Sequence, residues 1–401
     1  MIYIVELEPV ETRYTAQWKT WLPRQMKDSG LEVKVIQGPS DAPQDTTPGA
    51  FLNFSGTNYW KSEQLKTISQ MFADGTVQDG DYFLYTDAWN PTVLQLKYMS
   101  ELLGVKVKIG GMWHAGSYDP ADFLGRLIGD APWVRLAEES MFNVFDHNFF
   151  ATDFHIDLFM QSFPNVDTNK IHRVGWPMEY LEHLLAEYNI PTSKNDIVLF
   201  PHRVAPEKQV EIFKDLGKAF EDVDFIVAQE QNLSKDEYHS LLMRSKIVFS
   251  ANTQETLGIS CFEGALVGAT PLVPDRLSYT EMYDDKFKYP SEWTESWDSY
   301  LTHKDKLIDK IRGMLAFNWL MSDDNEQLAE QLKNDFFSGK ALYEVIGDSK
   351  SKSLSRRDQK LELEYAEVNQ SKGLSRREQV LLDPLSASLR SDGGFDRSET
   401  E

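Results

Sequence analysis

The sequence has little cysteine and no long apolar segment, and each absence narrows the class of protein. The 401 residues contain one cysteine, Cys261, which excludes an internal disulfide and is typical of a reducing cytoplasm. We interpret Cys261 as a small buried residue rather than a nucleophile. No apolar run approaches ~18 residues, so we expect no transmembrane helix. The N-terminus lacks the basic segment of a signal peptide and predicts a first buried strand.

Positive charge is also scarce. Sixty-three acidic side chains stand against 41 lysines and arginines, a net charge of −22. Nucleic acids and anionic lipids are bound by basic surfaces, so this balance disfavours both as general partners. A local basic groove is compatible with an acidic protein, and DNA therefore stays open as a specific partner.

Short apolar runs alternate with helical patterns along most of the chain, which predicts parallel sheets wrapped by helices. The predicted strands lie at residues 2–7, 32–36, 81–86, 105–109, 197–200, 224–228, 247–250 and 270–273, and segments 142–152 and 170–175 continue the alternating pattern. The predicted helices lie at residues 13–26, 92–103, 207–219, 235–245, 261–268, 297–318 and 324–337. We expect two Rossmann-like α/β domains facing a cleft, at residues 1–178 and 179–346.

The remaining residues, 347–401, are polar and nearly free of aromatic side chains. They contain an internal repeat, at 351–359 and again at 371–379. This composition predicts a disordered tail. A second interpretation is a duplicated docking or basic contact motif that binds a partner.

The segment from Glu255 to Glu263 is the most informative motif. Two glutamates flank Gly258 directly after the apolar strand 247–250. A strand that breaks at a glycine and then begins a helix presents free amide groups at a positive dipole end, which suits a phosphate group. The second glutamate lies further along, where it could reach a sugar hydroxyl. A nucleotide sugar carries both groups.

Three segments, 200–208, 255–263 and 272–281, together resemble the donor half of GT-B glycosyltransferases. The likeness is to the large retaining group that carries two glutamates with seven residues between them. It covers residues 195–285, whereas the first half of the chain fits that architecture without a residue signature. The resemblance implies that Arg203 and Lys208 neutralise the departing diphosphate, and that Glu255 contacts the transferred sugar.

The same resemblance implies a donor-binding set around the glycine bend. Gly258 and the amides of Leu257 and Ile259 would approach the diphosphate, Glu263 would bind the ribose, and Glu281 would support the site from outside the donor. The sequence departs from the pattern at three places. His202 replaces a glycine, Leu257 replaces an aromatic residue, and 276–279 replaces a glycine-rich segment. Donor identity therefore stays open.

On the acceptor side, the candidates follow the ends of predicted strands. The first loop lacks glycine and carries charged and hydrogen-bonding groups up to Tyr14, and the loop after the third strand carries Asp87. Segments 53–60 and 85–91 bring aromatic and amide groups that suit either ligand stacking or anchoring in the core. Segment 110–117 presents Trp113 and His114 behind glycines that would let a ligand approach, and His114 is a candidate for assisting the acceptor proton or for a structural role.

No metal or other cofactor is expected. Residues 146–155 are rich in histidine and aspartate, but their spacing lacks a coherent ligand set. No Asp-x-Asp follows a strand end, so the basic pair and the helix start would suffice for a diphosphate.

The sequence thus predicts a cytoplasmic glycosyltransferase that moves a hexosyl or pentosyl group from a nucleoside diphosphate sugar to an acceptor hydroxyl. Retention is implied by the resemblance; an inverting enzyme would need Asp87 or His114 as its base. One candidate acceptor is a saccharide or another small molecule. The other is a hydroxymethylated base of DNA, the acceptor of phage glucosyl- and arabinosyltransferases; a viral enzyme of this kind would act in the host cytoplasm. Two further functions stay open, a nucleotide-sugar sensor without catalysis and a sugar-nucleotide epimerase.

Overall fold

The computed structural model describes residues 1–10, 13–43, 45, 52–129, 131–188 and 193–351. One compact unit runs from Met1 to Gly347, and a second comprises Asp348–Glu401. Most of the predicted tail, including the second copy of its repeat, lies outside the described residues. No described helix combines the length and apolar character needed to cross a membrane.

The first half of the compact unit is built on a six-stranded parallel sheet. Its strands are β1 (Ile2–Val5), β2 (Val33–Ile36), β3 (Tyr82–Tyr85), β4 (Lys108–Met112), β5 (His147–Phe150) and β6 (Ile171–Arg173). Its helices are α1 (Tyr14–Asp28), α2 (Phe54–Ala73), α3 (Thr92–Leu102), α4 (Phe123–Ile128), α5 (Pro132–Val144) and α6 (Asp153–Ser162). The strand order is β2-β1-β3-β4-β5-β6.

The second half is built on a five-stranded parallel sheet. Its strands are β7 (Asn195–Phe200), β8 (Asp224–Val227), β9 (Ser245–Phe249), β10 (Thr270–Pro274) and β11 (Lys288–Tyr289). The helices that follow the first sheet are α7 (Tyr180–Ala186), α8 (Val210–Gly217), α9 (Lys235–Arg244), α10 (Ile259–Leu266), α11 (Tyr279–Met282), α12 (Trp297–Ala316) and α13 (Ser322–Asp335). The strand order is β11-β10-β9-β7-β8.

Both sheets are buried on their two faces because helices cover them. All four side chains of β1 and of β3 are buried, which is the pattern of continuous apolar strands in parallel sheets. Ile2 and Ile4 face one apolar cluster, and Tyr3 and Val5 face another. Successive side chains of a strand point to opposite faces of the sheet, so each strand contributes side chains to both apolar clusters.

The strand orders fix where a ligand can bind. In each sheet the order reverses next to the first strand, between β1 and β3 and between β7 and β9. Ligands of open parallel sheets bind in the crevice beyond the carboxyl ends of the strands at this reversal. The loops after β1, β3, β7 and β9 are thus the first place to look for a site.

The last segment of the compact unit packs against the first half of the chain. The Trp176 amide donates to the Phe336 carbonyl at 2.8 Å, and the Gly339 amide donates to the Glu179 carboxylate at 2.6 Å. Residues 340–347 are helical, and Tyr343 accepts a hydrogen bond from Gln25 of α1 at 3.1 Å. The segment that follows the second sheet therefore packs against a helix of the first.

Two local expectations are corrected by the structure. Segment 53–60, expected as a loop that follows a strand, forms the start of α2, whose first turn is capped by the Asn53 side chain accepting from the Gly56 amide at 2.7 Å. Gly110 and Gly111 lie inside β4, where an added Cβ would meet the Tyr82 hydroxyl at 2.3 Å and the Phe145 ring at 2.5 Å. These glycines make room for buried rings, not for a ligand.

Candidate active site

The bend between β9 and α10 is fixed by Gly258. This residue has φ +76°, a left-handed conformation that favours glycine. A Cβ here would lie 2.8 Å from Cε1 of Tyr279, a fully buried ring whose hydroxyl is 3.1 Å from the Ser250 hydroxyl. Glycine is thus required by both backbone conformation and space, and α10 begins at Ile259 as a result.

Glu255 lies immediately before this bend and is held from two sides. Its Oε2 is 3.2 Å from Lys208 Nζ and accepts from Asn252 Nδ2 at 3.2 Å. Its Oε1 accepts from the amide of Leu257 at 3.3 Å. Burial by itself raises the pKa of Glu255, but the charges of Lys208 and His202 and the hydrogen bonds from the Leu257 amide and Lys208 outweigh it and lower the pKa to about 2. Glu255 is therefore ionised at neutral pH.

Lys208 enters the site from the turn after β7, the 3₁₀ helix Pro206–Lys208. Its side chain is 7% exposed, and its ammonium also donates to the Gln254 carbonyl at 2.6 Å. The structure thus brings Lys208, Glu255 and the glycine bend together at the reversal between β7 and β9.

His202, which replaces a glycine of the donor-site pattern, lies beside this group. Its Nδ1 is 3.4 Å from the Ser260 hydroxyl of α10. Burial, reinforced by the Lys208 charge, lowers the pKa of His202 to about 3. At neutral pH the imidazole is uncharged and adds no positive charge near the bend, and it gains a proton only when the pH approaches 3.

Arg203 makes a contact that the sequence analysis missed. Its Nη2 donates to Glu207 Oε1, and the other oxygen of Glu207 accepts from Arg126 Nη1 of α4 at 2.5 Å. Although burial raises the pKa of Glu207, its hydrogen bond with Arg126 and the two guanidinium charges bring the net pKa below the usual value. The i, i+4 spacing of Arg203 and Glu207 was the available signal for one of these pairs.

Glu263 lies within α10 and is 5% exposed. Its Oε1 is 3.3 Å from Lys235 Nζ, and its Oε2 accepts from the Tyr238 hydroxyl at 3.0 Å. A ribose at this carboxylate would share it with α9. Its predicted role stays a prediction.

Glu281 contacts the first sheet's helices rather than α10. Its two oxygens accept from the amides of Asp153, at 3.2 Å, and Phe154, at 2.8 Å, at the start of α6. A carboxylate at a helix N-terminus is favourable because it satisfies free amides and complements the helix dipole. Glu281 therefore joins the two halves of the molecule outside the glycine bend.

On the opposite side of the cleft, His114 is hydrogen-bonded at both ring nitrogens. Nε2 donates to the Thr86 carbonyl at 2.7 Å, which leaves Nδ1 to accept from the Tyr14 hydroxyl at 2.8 Å. Burial lowers the pKa of His114 and raises that of Tyr14 to about 12, so both are neutral. The His114 carbonyl accepts from the Thr256 hydroxyl at 3.1 Å, next to Glu255.

The other two acceptor-side candidates are placed differently. Asp87 forms an ion pair with Lys61, at 2.9 Å, and remains partly exposed. Trp113 is 0% exposed and donates from Nε1 to Asn148 Oδ1 at 2.9 Å. Its ring stacks on Phe150 with centroids 6.2 Å apart. The prediction that Trp113 faces an acceptor is wrong, because the residue after β4 points into the core beneath the sheet.

The Leu257 amide is a second correction. It was expected to approach a diphosphate, but it donates to Glu255 instead. The role of the Ile259 amide at the first turn of α10 stays a prediction. Among the described residues no three histidine, cysteine, aspartate or glutamate side chains are arranged to hold a metal ion. That no metal takes part remains a prediction.

Comparison of the fold with solved structures shows its class. Sucrose-phosphate synthase from Thermosynechococcus elongatus matches with a TM-score of 0.56 and 11% identity, over 91% of this chain and 99% of that one. The catalytic domain of starch synthase IV from Arabidopsis thaliana, bound to ADP and acarbose, matches with a TM-score of 0.56 and 11% identity, over 88% and 99%. The chain has the GT-B fold.

A GtfA/B complex also matches, with a TM-score of 0.50 and 14% identity over 72% of this chain. The chain spans only 61% of the length of that match. No family model and no curated protein sequence matches this chain. The GT-B fold confirms the predicted α/β class with two parallel-sheet halves, whereas the domain boundaries and the residue roles stay predictions.

Proposed function

We propose that the protein is a glycosyltransferase that moves a sugar from a nucleoside diphosphate sugar to an acceptor hydroxyl, with retention of the anomeric configuration. The observation that carries this proposal is the pairing of Lys208 with Glu255 beside the Gly258 bend. This arrangement lies at the strand reversal of a GT-B fold, where ligands of such sheets bind.

The donor's negative charge would be met by cations and by the start of α10. Lys208 is held in place by the Gln254 carbonyl, and Arg203 lies on the same loop after β7. As the bond to the diphosphate breaks, negative charge grows on the leaving oxygens. Preorganised cations stabilise that charge more than they stabilise the intact donor.

Glu255 would act on the other fragment. Breaking the bond between the anomeric carbon and the diphosphate leaves positive charge on the sugar ring. A carboxylate whose pKa is about 2 keeps its negative charge at neutral pH and would stabilise that ring. The acceptor oxygen then bonds to the anomeric carbon, and its proton passes to the departing diphosphate oxygen on the same face. No separate base is needed in this scheme.

The test is calorimetric titration with UDP, GDP and ADP, followed by the same titration of an Arg203→Ala, Lys208→Ala double variant. We expect the Kd of the preferred diphosphate to rise at least ~100-fold, since two charge-assisted contacts are removed. Lys214→Ala is the matched control, because Lys214 pairs with Glu230 on the surface of α8. Undiminished binding by the double variant contradicts the proposal.

Product analysis separates transfer from the sensor and epimerase functions. Release of diphosphate that depends on an acceptor supports transfer, whereas binding without turnover supports a sensor and donor conversion without acceptor supports an epimerase. NMR of the product anomer tests retention. Incubation with duplex DNA containing 5-hydroxymethylcytosine tests the DNA acceptor.

A further inference from the structure

Arg276 begins segment 276–279, one of the three departures from the donor-site pattern, and has no role so far. It follows β10 and is half-buried. A guanidinium carries five N–H donors in a fixed planar fork and has no acceptor. An arginine in this position therefore needs several oxygen atoms around it, and those oxygens show what it holds.

The guanidinium of Arg276 binds backbone carbonyls from two loops. Nε donates to the Asn252 carbonyl at 2.6 Å, and Nη2 donates to the Ala251 carbonyl at 2.8 Å. In the other loop, Nη1 donates to the Ser291 carbonyl at 2.9 Å, and Nη2 donates to Thr294 Oγ1 at 3.0 Å. One planar group thus joins the loop after β9 to the segment before α12.

The carbonyls of three successive residues where β9 ends, 250–252, are all bound by side chains. The Tyr289 hydroxyl donates to the Ser250 carbonyl at 2.7 Å. Gln209 Nε2 donates to the Ala251 carbonyl at 2.6 Å, alongside Arg276. Buried carbonyls that leave a sheet lose their ladder partners and need others. Arg276 binds two of the three and so fixes the direction in which the chain continues into the site.

Asn252 connects this anchor to Glu255. Its carbonyl is held by Arg276, and its side-chain Nδ2 donates to Glu255 Oε2 at 3.2 Å and to the Tyr279 hydroxyl at 3.1 Å. Asn252 is 0% exposed, so close packing leaves its side chain little freedom once the backbone is fixed. The position of the Arg276 fork therefore decides whether Nδ2 meets the carboxylate.

The backbone next to Arg276 is strained. Leu277 has φ +60°, in the left-handed region that residues with large side chains rarely adopt. Such a conformation persists only where the surrounding structure over-determines it. On one side of Leu277, Arg276 is fixed by the carbonyls. On the other, the Tyr279 hydroxyl bonds the side chains of Ser250 and Asn252. The strained turn thus lets both anchors reach the same loop.

The lysine that pairs with Glu255 is anchored further along that loop. The Lys208 ammonium donates to the Gln254 carbonyl at 2.6 Å. The Thr253 amide donates to the carbonyl of Glu207, the residue before Lys208, at 2.8 Å. Neither contact involves the guanidinium, so the lysine and the carboxylate depend on different anchors.

We propose that Arg276 is a positioning residue of the donor site, which sets the Glu255 carboxylate through the backbone of the loop after β9. The inference rests on the proposed function, in which Glu255 stabilises the sugar and Lys208 the diphosphate. Because the two groups have different anchors, loss of Arg276 weakens the binding of the sugar part of a donor and leaves the binding of the diphosphate part unchanged.

The first test compares nucleoside diphosphates with nucleotide sugars. Full-length native protein and Arg276→Lys are titrated by calorimetry with UDP, GDP and ADP, and with UDP-glucose, GDP-mannose and ADP-glucose. Lysine keeps the charge but cannot replace the planar fork. We expect the Kd of the preferred nucleotide sugar to rise at least ~tenfold and the Kd of its diphosphate to stay within ~twofold. Arg312→Lys, the matched control, should change neither Kd, because Arg312 lies on α12 and donates to the Ala219 carbonyl at 3.4 Å.

A purely structural role of Arg276 gives a different result. Equal rises in the two Kd values would mean that Arg276→Lys loosens the whole site, and unchanged values would mean that Arg276 has no effect on donor binding. Either result overturns the proposal. In the Glu255→Gln background, Arg276→Lys should raise the Kd of the nucleotide sugar less than ~twofold, because the carboxylate that it positions is already gone. An additive effect in that background also overturns the proposal.

The second test needs no ligand. Full-length protein labelled with ¹⁵N at asparagine is observed by NMR, and Asn252→Ser assigns the side-chain amide of Asn252. Glu255→Gln should shift this resonance in the native background but not in Arg276→Lys, where the bond between the two side chains is already lost. If Arg276→Lys does not fold, Thr294→Val takes its place, because it removes one acceptor of the guanidinium and should reduce the shift. The same shift in both backgrounds overturns the proposal.

The two proposals fail separately. A protein that binds no diphosphate and no nucleotide sugar contradicts the proposed function, and the Asn252 resonance then still shows whether Arg276 positions Glu255. A transferase whose Asn252 resonance responds to Glu255→Gln equally with and without Arg276→Lys contradicts the positioning role alone.

Discussion

The ammonium of Lys208 lies 3.2 Å from Glu255 Oε2, and both side chains are largely buried. The first prediction concerns the pH dependence of this pair. The pKa of Glu255 is lowered from 4.5 to about 2, so its contribution to stability is fully present above pH 4.5 and is lost as the pH falls towards 2. Relative to Glu255→Gln, we expect the native protein to lose ~2 kcal/mol of unfolding free energy between about pH 7 and pH 3.

Urea unfolding of both proteins at several pH values measures this difference, and the contributions of groups that do not interact with Glu255 cancel in the comparison. His202 does interact with Glu255, so the measured difference belongs to the coupled pair. Lys208→Met is the control background. Removing the lysine takes away the largest charge that lowers the pKa of Glu255. In that background, Glu255→Gln should therefore change the pH dependence of the unfolding free energy much less. The same difference in both backgrounds would show that Lys208 is not its cause.

The second prediction compares two glycines at the two ends of α10. Gly258 and Gly268 have φ +76° and +74°, but an added Cβ meets buried Tyr279 at 2.8 Å in the first case and only the flexible Lys194 chain at 3.5 Å in the second. We expect Gly268→Ala to destabilise by ~1 kcal/mol, from backbone conformation alone. Gly258→Ala should lower the unfolding free energy by at least ~1 kcal/mol more than Gly268→Ala does.

Urea midpoints measure the two variants, and diphosphate titration adds a functional readout. Only Gly258→Ala should weaken diphosphate binding, because only this glycine shapes the bend between Glu255 and the first turn of α10. Equal losses in both variants would mean that the Tyr279 contact is unimportant.

The bend between β9 and α10 was predictable because its signals are local. The run 247–250, the glycine after Glu255 and the helix that follows are adjacent in sequence, and propensity and spacing place them. The contacts that complete the site are distant in sequence. Glu207 meets Arg126 across 81 residues and Glu281 meets the Phe154 amide across 127, and no local pattern encodes either.

In the first half of the chain, predictions from the sequence were wrong where one local pattern is compatible with two structures. A pair of glycines such as Gly110 and Gly111 is compatible with a loop that admits a ligand and with a strand packed against large rings. Only the positions of Tyr82 and Phe145 show that the second structure is the one adopted. Asn53 and Gly56 are typical of turns, yet Asn53 caps a 20-residue helix. Tertiary packing decided these cases, not propensity.

The third prediction tests the contact between Glu281 and α6. Burial raises the pKa of Glu281 despite its two amide hydrogen bonds, so the charge itself is not the source of stability. Glu281→Gln keeps one carbonyl acceptor but leaves the second amide without one, so we expect a loss of ~1 kcal/mol in unfolding free energy. Glu292→Gln, an exposed residue with the same change of charge, should lie within ~0.5 kcal/mol of the native protein. Equal stabilities of the two variants would contradict a role for Glu281 as a cap.

The fourth prediction tests whether Trp113 is a core residue or contacts an acceptor. Trp113→Phe removes the N–H that satisfies Asn148 and leaves space among Phe150 and its neighbours. We expect a loss of ~2–4 kcal/mol in urea unfolding, as for other large buried side chains and broken buried hydrogen bonds.

Because Trp113 is 0% exposed, the KM for an acceptor should change less than twofold in Trp113→Phe, while the stability falls. Tyr14→Phe provides the contrast. It leaves His114 Nδ1 without its donor at the cleft, so a change in acceptor KM is expected there with less loss of stability. If Trp113→Phe instead raised the acceptor KM tenfold at unchanged stability, the ring would have to reach the cleft, and the placement of β4 against the core would be wrong.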